Sequence, residues 1–327
     1  MKVSLISTVM NEEKTLYSFL DSIKSQTRMP DELIIVDGGS SDHTVKIIQE
    51  YKNKLPNLSV LECPGVNIAQ GRNIAISIST SPIIAVTDGG CRPEKTWLEC
   101  LVQQLEISDE YAAVAGSFSI DNCNEFEFFS GHLCKPKDSG NDRARLFFGR
   151  NSAFRKDAWE HVGGYPEWLY TGEDTLFAMA FLSHAYRVGF APDAIVWWKP
   201  RPSLRKLAKM FFLYGRGNGR IQHGSVKGSL YWLRYHMLLA VTLIGGFLNP
   251  WIWFGALIIF FYLYTQIVPR TMNQMRSLSA PQSKWFWVPV IVFVRNMATN
   301  AGYIFGCLEL WRRPEFRKSL AKYITFQ

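Results

Sequence analysis

The chain has 327 residues, 47% of them hydrophobic, six cysteines and a formal net charge of +8, enough for one large or two smaller domains with a buried core. Cys63, Cys91, Cys100, Cys123, Cys134 and Cys307 form no CxxC pair and no metal-ligand spacing, so free thiols in a reducing compartment are expected. The charge is uneven: residues 1–193 carry 18 Lys+Arg against 26 Asp+Glu, and residues 194–327 carry 18 against only Glu309 and Glu315.

Val3–Val9 is predicted as a first strand; its short apolar run ends at Asn11-Glu12-Glu13, which excludes a signal-peptide reading. Glu13–Gln26 follows as an amphipathic helix with Leu16, Phe19, Leu20 and Ile23 on one face. Leu33–Val36 reads as a buried strand of a parallel sheet. It stops at Asp37, a Gly38-Gly39-Ser40-Ser41 turn follows, and Asp42 is placed to cap a helix starting near Thr44. A carboxylate at the C-terminal end of a buried strand, beside a glycine turn and a helix N-terminus, is where open α/β sheets bind nucleotides. Taken alone, ordinary turn chemistry explains these residues equally well.

Ser59–Glu62 and Ile83–Thr87 are further strands, and Asn67–Ile78 and Thr96–Leu105 further helices. Such βα repetition implies an α/β fold with a mostly parallel sheet and helices on both faces. Residues 121–150 are polar and irregular, suiting a loop over a binding site or a surface excursion. Compact α/β character returns over 151–193.

The second half of the chain differs. Arg201, Arg205, Lys206, Lys209, Arg216 and Arg220 interleave with apolar residues, a basic amphipathic pattern suited to a membrane surface. Three apolar stretches follow: Tyr231–Leu248 and Trp251–Val268, joined as a hairpin by Asn249-Pro250, then Trp285–Leu308. The second is long enough to span a bilayer, and the third, with Arg295, Asn296 and Asn300 at its middle, is expected to be interfacial or re-entrant. Basic flanks and many aromatics point to the cytoplasmic face of an anionic membrane and away from nucleic acid. The expected organisation is a cytoplasmic catalytic domain over 1–200, a basic interfacial segment over 201–230, an integral membrane region over 231–308 and a basic tail over 309–327. Nothing in the sequence fixes the oligomeric state.

Five motifs occur in order. They are Val9-Met10-Asn11-Glu12-Glu13, then Asp37-Gly38-Gly39-Ser40-Ser41-Asp42-His43-Thr44, then Gly71-Arg72-Asn73-Ile74-Ala75, then Thr87-Asp88-Gly89-Gly90-Cys91-Arg92-Pro93. Last come Gly163-Gly164-Tyr165-Pro166 and Thr171-Gly172-Glu173-Asp174-Thr175. Over roughly residues 1–200 this order resembles glycosyltransferase family 2, the inverting enzymes of GT-A (Rossmann-like) fold that use nucleotide-activated sugars. The resemblance implies that Thr8, Asn11, Glu12 and Asp37, with the loop glycines Gly39 and Gly89, bind the nucleotide-sugar donor. It places Arg72 near the diphosphate, where its guanidinium suits a phosphate or, alternatively, an internal salt bridge to Asp37 or Asp88. Asp88 takes the first position of the family's Asp-x-Asp motif and is the candidate ligand for Mg²⁺ or Mn²⁺. The third position is Gly90, a departure that leaves any metal short of one carboxylate.

In the same frame Asp174 is the general base, with Glu173 orienting it or binding acceptor; both acids also suit the first turn of a helix over Thr175–Ser183. Phe148–Phe154 resembles the strand lining the acceptor side, which nominates Asn151 and Ser152. Arg216 and Arg220 are candidates to clamp a diphosphate of donor or lipid acceptor. The Gln-x-x-Arg-Trp segment of processive synthases is missing, which implies single-sugar transfer. The acceptor is expected to be membrane-associated: lipid-linked, glycolipid or polysaccharide. The alternatives are a non-catalytic membrane protein that binds nucleotide sugars and a nucleotidyltransferase.

Overall fold

The structure is a computed structural model that describes residues 1–121, 124–135, 139–262 and 286–323. These residues fall into two compact units, one built from Met1–Asp121 with the described parts of Pro136–Lys199 and Lys318–Gln327, the other from the described parts of Asn122–Lys135 and Pro200–Arg317.

The first unit opens with the expected alternation: β1 (Val3–Val9), α1 (Leu16–Lys24), β2 (Glu32–Asp37), α2 (Thr44–Tyr51), β3 (Leu58–Glu62), α3 (Ile68–Ile78) and β4 (Ile83–Val86). β1 is central, pairing in parallel with β2 and β4, while β2 pairs in parallel with β3. Almost every side chain of β1, β2 and β4 is buried, as apolar runs without alternation require of a sheet covered on both faces. α3 begins at Asn67, whose side chain accepts from Gln70 N while Gln70 reaches back, a reciprocal cap that fixes where the helix starts. Asp42 accepts from Thr44 N and its hydroxyl, as the capping expectation requires, although the helix boundary falls at His43.

Beyond β4 the expectation of a mostly parallel sheet is corrected. β5 (Cys91–Pro93), α4 (Trp97–Ile107), β6 (Tyr111–Ile120), β7 (Ser152–Arg155), α6 (Lys156–His161), α7 (Glu173–Ser183) and β8 (Arg187–Trp198) complete an eight-stranded mixed sheet of order β3-β2-β1-β4-β7-β6-β8-β5. β7 runs antiparallel to both neighbours, and β5 antiparallel to β8. A tight turn in which Phe148 and Asn151 bridge leads directly into β7. The described part of 121–150 is not all loop either: α5 (Glu125–Cys134), capped by Asn124 accepting from Glu127 N, lies within it and belongs to the second unit.

The second unit also contains α8 (Leu204–Arg220), α9 (Val226–Gly245), helical residues 252–262, α10 (Trp287–Arg312) and α11 (Pro314–Leu320), the last ending in the first unit. α8 and α10 touch backbone to backbone. A Cβ added at Gly215 or Gly219 would lie 2.1 Å from the carbonyl oxygens of Thr299 or Tyr303, and one at Gly302 or Gly306 2.1 Å from those of Phe212 or Arg216. Glycines four apart on each helix therefore permit an approach that any side chain forbids.

The expected transmembrane segment is not found: among the described residues no helix is long and apolar enough to cross a membrane. The last third of Trp251–Val268, residues 263–268, lies outside the described residues. The third apolar stretch became α10, whose polar residues serve contacts inside the second unit. Arg295 donates to Leu133 O at 2.7 Å, and Glu309 pairs with α8.

Candidate active site

The C-terminal ends of β1, β2 and β4 open onto a cleft of about 400 Å³ whose lining includes Thr8, Glu12, Gly38, Asn67, Gly71 and Asp88. Two loops are stitched together at its rim. Asn11, at a left-handed φ of 57°, donates its backbone N–H to Ser40 Oγ at 2.8 Å, and its Oδ1 accepts from Ser41 N at 2.9 Å. Gly39, at φ 104°, makes the sharp turn that only glycine adopts without strain. The Thr8 hydroxyl oxygen is buried at this cleft without a protein partner.

Asp37 stands where the resemblance implies, but its carboxylate is turned into its own loop. It accepts from Gly39 N at 3.0 Å, from Ser40 N at 2.9 Å and from the Ser40 hydroxyl, and the residue is 2% exposed. These bonds hold the turn, since a buried carboxylate is satisfied by adjacent N–H donors.

Arg72 organises the centre. Its side chain is 2% exposed, its NH2 lies 3.0 Å from Asp88 Oδ1, and its NH1 lies 3.0 Å from Glu173 Oε1. The internal salt bridge is therefore the observed alternative, with Asp88 and not Asp37 as partner. Gly149 makes room for it: a Cβ there would sit 2.3 Å from the guanidinium carbon. Arg72 also lies over the Tyr165 ring, 5.3 Å from its centroid. Arg150 Nε approaches Asp88 Oδ2 at 3.6 Å, and its guanidinium lies over Trp198. Gly149 and Arg150 were not expected at this site; the legible signal was that Phe148-Gly149-Arg150-Asn151 combines a small residue and a cation in one turn.

Glu173 and Asp174 open α7 after Gly172 at φ 82°. Glu173 is buried and tied to Arg72, whereas Asp174 is half-buried with Oδ1 accepting from Thr175 N at 2.8 Å. Burial, then the neighbouring Asp174 charge, pushes the Glu173 carboxyl up to about 7 from an ordinary 4.5, against the opposing Arg72 charge. Between those values the folded protein holds a proton that the unfolded chain releases. Glu173's stabilising contribution is therefore full below 4.5 and lost as pH rises through about 7. Glu173→Gln is expected to flatten the stability curve across that window, as measured by urea midpoints at a series of pH values; an unchanged slope would contradict the assignment.

Four expected contacts to substrate are corrected. Asn151 is 1% exposed; its amide donates to Ser117 O at 2.6 Å and Ala194 O at 3.0 Å, while its Oδ1 accepts from Trp97 Nε1 at 2.8 Å. These bonds satisfy the sheet where the β6–β8 register shifts between Gly116 and Ser117. Ser152 is fully buried in β7. Arg216 and Arg220 lie in the second unit and both bind Glu309, at 2.5 Å and 2.8 Å, one of only two acids in the basic half.

Among the described residues no group of three or more His, Cys, Asp and Glu is placed to hold a metal ion. The chemistry of the donor set still fits a hard cation in part. Asp88 and Glu12 line one cleft and supply carboxylate oxygens, which a substrate diphosphate and water would complete.

The sequence model described as Glycosyl transferase family 2 matches residues 4–163, and that of Glycosyl transferase family group 2 matches residues 99–301. Glycosyltransferase AglE of Haloferax volcanii is 30% identical over 229 residues, covering 67% of this chain and 73% of the relative. The O-antigen chain rhamnosyltransferase RfbN of Salmonella typhimurium is 27% identical, covering 60% of this chain and 66% of its own length, just under two thirds. The mannosyltransferase PcManGT from Pyrobaculum calidifontis, solved with GDP-Man and Mn²⁺, superimposes with a TM-score of 0.55 at 16% identity, covering 95% of this chain and 87% of that one. The last supports the sheet architecture and the first two the sequence relationship. With the cleft at the strand ends and the acid pair of α7 in place, the chain belongs to glycosyl transferase family 2 and is a nucleotide-sugar-dependent glycosyltransferase.

Proposed function

We propose that this enzyme moves a single sugar, with inversion, from a nucleotide-sugar donor to a membrane-associated acceptor such as a polyprenyl-linked saccharide or glycolipid. One observation carries the reading: the buried Arg72 binds Asp88 at the donor cleft and Glu173 at the start of α7, so the donor loop and the acid pair belong to one site. Asp174, the more exposed acid, takes the proton from the acceptor hydroxyl. The acceptor oxygen then forms its bond to the anomeric carbon as the bond to the diphosphate breaks on the opposite face, and a nucleoside diphosphate leaves. Arg72 acts here as a positioning residue, holding both carboxylates with one planar fork. A divalent cation, Mg²⁺ or Mn²⁺, when bound, offsets charge on the departing diphosphate.

The membrane side of the reading rests on residues 194–308, which contain no Asp or Glu, and on apolar side chains left in solvent. Phe247, Leu248 and Trp251 are 83%, 90% and 75% exposed at the Asn249-Pro250 turn. Exposed aromatics with cations and without acids suit an anionic bilayer surface, and the catalytic unit then belongs on the cytoplasmic side of the cell membrane. The relative RfbN is an O-antigen chain rhamnosyltransferase, which is in keeping with such an acceptor.

The test is incubation with UDP-, GDP- and dTDP-sugars and a membrane lipid extract. The expected outcome is release of a nucleoside diphosphate and a lipid-extractable product with the anomeric configuration opposite to the donor. Retained configuration, or a water-soluble product alone, would overturn the proposal.

A further inference from the structure

Gly163-Gly164-Tyr165-Pro166 takes no part in the transfer itself, yet it is bonded to the helix that carries Arg72. Asn73 of α3 pairs with both sides of the Tyr165 backbone: Oδ1 accepts from Tyr165 N at 2.9 Å, and Nδ2 donates to Tyr165 O at 2.9 Å. The same Oδ1 accepts from Trp159 Nε1 at 3.2 Å, and Nδ2 also donates to Glu167 Oε1 at 2.9 Å. A side-chain amide sets an acceptor beside a donor, so asparagine can serve one residue as a strand edge would. Gly164, at φ 75°, lets the chain close on it: a Cβ there would come within 3.1 Å of Asn73 Oδ1.

This clamp fixes where the Tyr165 ring lies. The ring is 1% exposed, stacks on Phe177 of α7 with centroids 4.1 Å apart, and lies under the Arg72 guanidinium at 5.3 Å. The Tyr165 hydroxyl is buried without a protein partner among the described residues, so no bond at its far end holds the ring. Phe177 stands one turn beyond Glu173 on α7, and Glu173 is bound by Arg72. We propose that Asn73 is a positioning residue for the transfer reaction: by fixing Tyr165 it sets the Arg72 guanidinium, and with it the Glu173-Asp174 pair. The inference rests on the reading of Arg72 as the fork that holds Asp88 and Glu173. A displaced ring would take away the face on which the guanidinium lies, and small misplacements are costly where reacting groups must be aligned.

Two measurements on the full chain separate this role from simple support of the fold. The first is the urea midpoint followed across the pH window of Glu173. Burial, then the Asp174 charge, raise the Glu173 carboxyl, Arg72 opposes them, and Asp88 adds to the rise; Tyr165, its own hydroxyl pushed up by burial, stays neutral. Asn73→Ala loosens Arg72, so Glu173 in the folded protein keeps its proton to higher pH. The loss of stability that wild type shows as pH rises through about 7 should therefore move upward. The second is nucleoside diphosphate release from UDP-, GDP- and dTDP-sugars with a membrane lipid extract, in which kcat should fall about 10–10²-fold while the donor KM stays unchanged. Asn73→Gln keeps the amide and displaces it by one methylene; it should show both changes in smaller size, and it stands in if the alanine variant does not fold. Glu167→Ala removes a bond to the same amide without touching the Tyr165 backbone, and should leave both measurements at wild-type values. A midpoint lowered evenly at every pH, an unchanged kcat, or an equal effect from Glu167→Ala would make Asn73 a support of the fold and overturn the proposal. A stability slope unchanged by Glu173→Gln would instead overturn the Arg72–Glu173 reading beneath it, whatever the Asn73 variants do.

Discussion

Asp174→Asn is expected to lower turnover by about 10²–10⁴-fold, the contribution of a positioned general base, while donor binding stays at wild-type strength. The substitution keeps size and shape and removes only the ability to take a proton. The helix start should survive, because the amide oxygen of asparagine can still accept from Thr175 N. Glu173 cannot stand in: it is buried, and Arg72 holds its Oε1. Steady-state kinetics should therefore show the loss in kcat, with thermal stabilisation by nucleotide sugar unchanged. A variant retaining near wild-type kcat would remove Asp174 from the mechanism, and one that lost donor binding would move it to the donor side.

Arg72→Met should have the largest effect on stability, about 3–5 kcal/mol at a pH above the Glu173 pKa, the cost of leaving a buried partner charge without its counter-ion. The fold supplies no replacement. The space is shaped by Gly149 around a flat guanidinium, and Glu173 is buried with only 8% of its side chain exposed. Asp88 is partly exposed and regains water, so most of the cost belongs to Glu173. Adding Glu173→Gln to Arg72→Met should recover a substantial part of the loss, because the uncompensated charge is gone. Urea unfolding of the two single variants and the double closes the cycle. Strict additivity would show that the ion pair is not what makes Arg72 costly to lose.

The first half of the sheet was legible because its signals are local. The apolar runs of β1, β2 and β4 are uninterrupted, and Asn67 with Gln70 marks a helix start within four residues. The order of motifs likewise carried Asp88, Glu173 and Asp174 to one place. What escaped depended on distance. No local rule says that Asn151 fills the register shift between Gly116 and Ser117, or that Glu309 claims both Arg216 and Arg220. The position of Asp37 was legible from the end of its strand, whereas its bonds to the N–H donors of its own turn were not. The helix α5 was missed for a plainer reason: Asn124-x-x-Glu127 is a cap signal, hidden in a segment whose polarity suggested a loop.

The glycine contacts between α8 and α10 also set an order of events during synthesis. Every strand of the catalytic sheet has been made by Trp198, so that sheet can assemble while the rest of the chain is still emerging. α8 cannot finish folding on that schedule, since residues 221–286 must be translated before its partner appears. Contacts closed over so long a stretch form slowly, and an uncovered helix face in the meantime is open to wrong partners and to proteases. Chains released before α10 should therefore carry a nearly complete sheet beside an unsealed helix, and it is the second unit that quality control in the cell would recognise first.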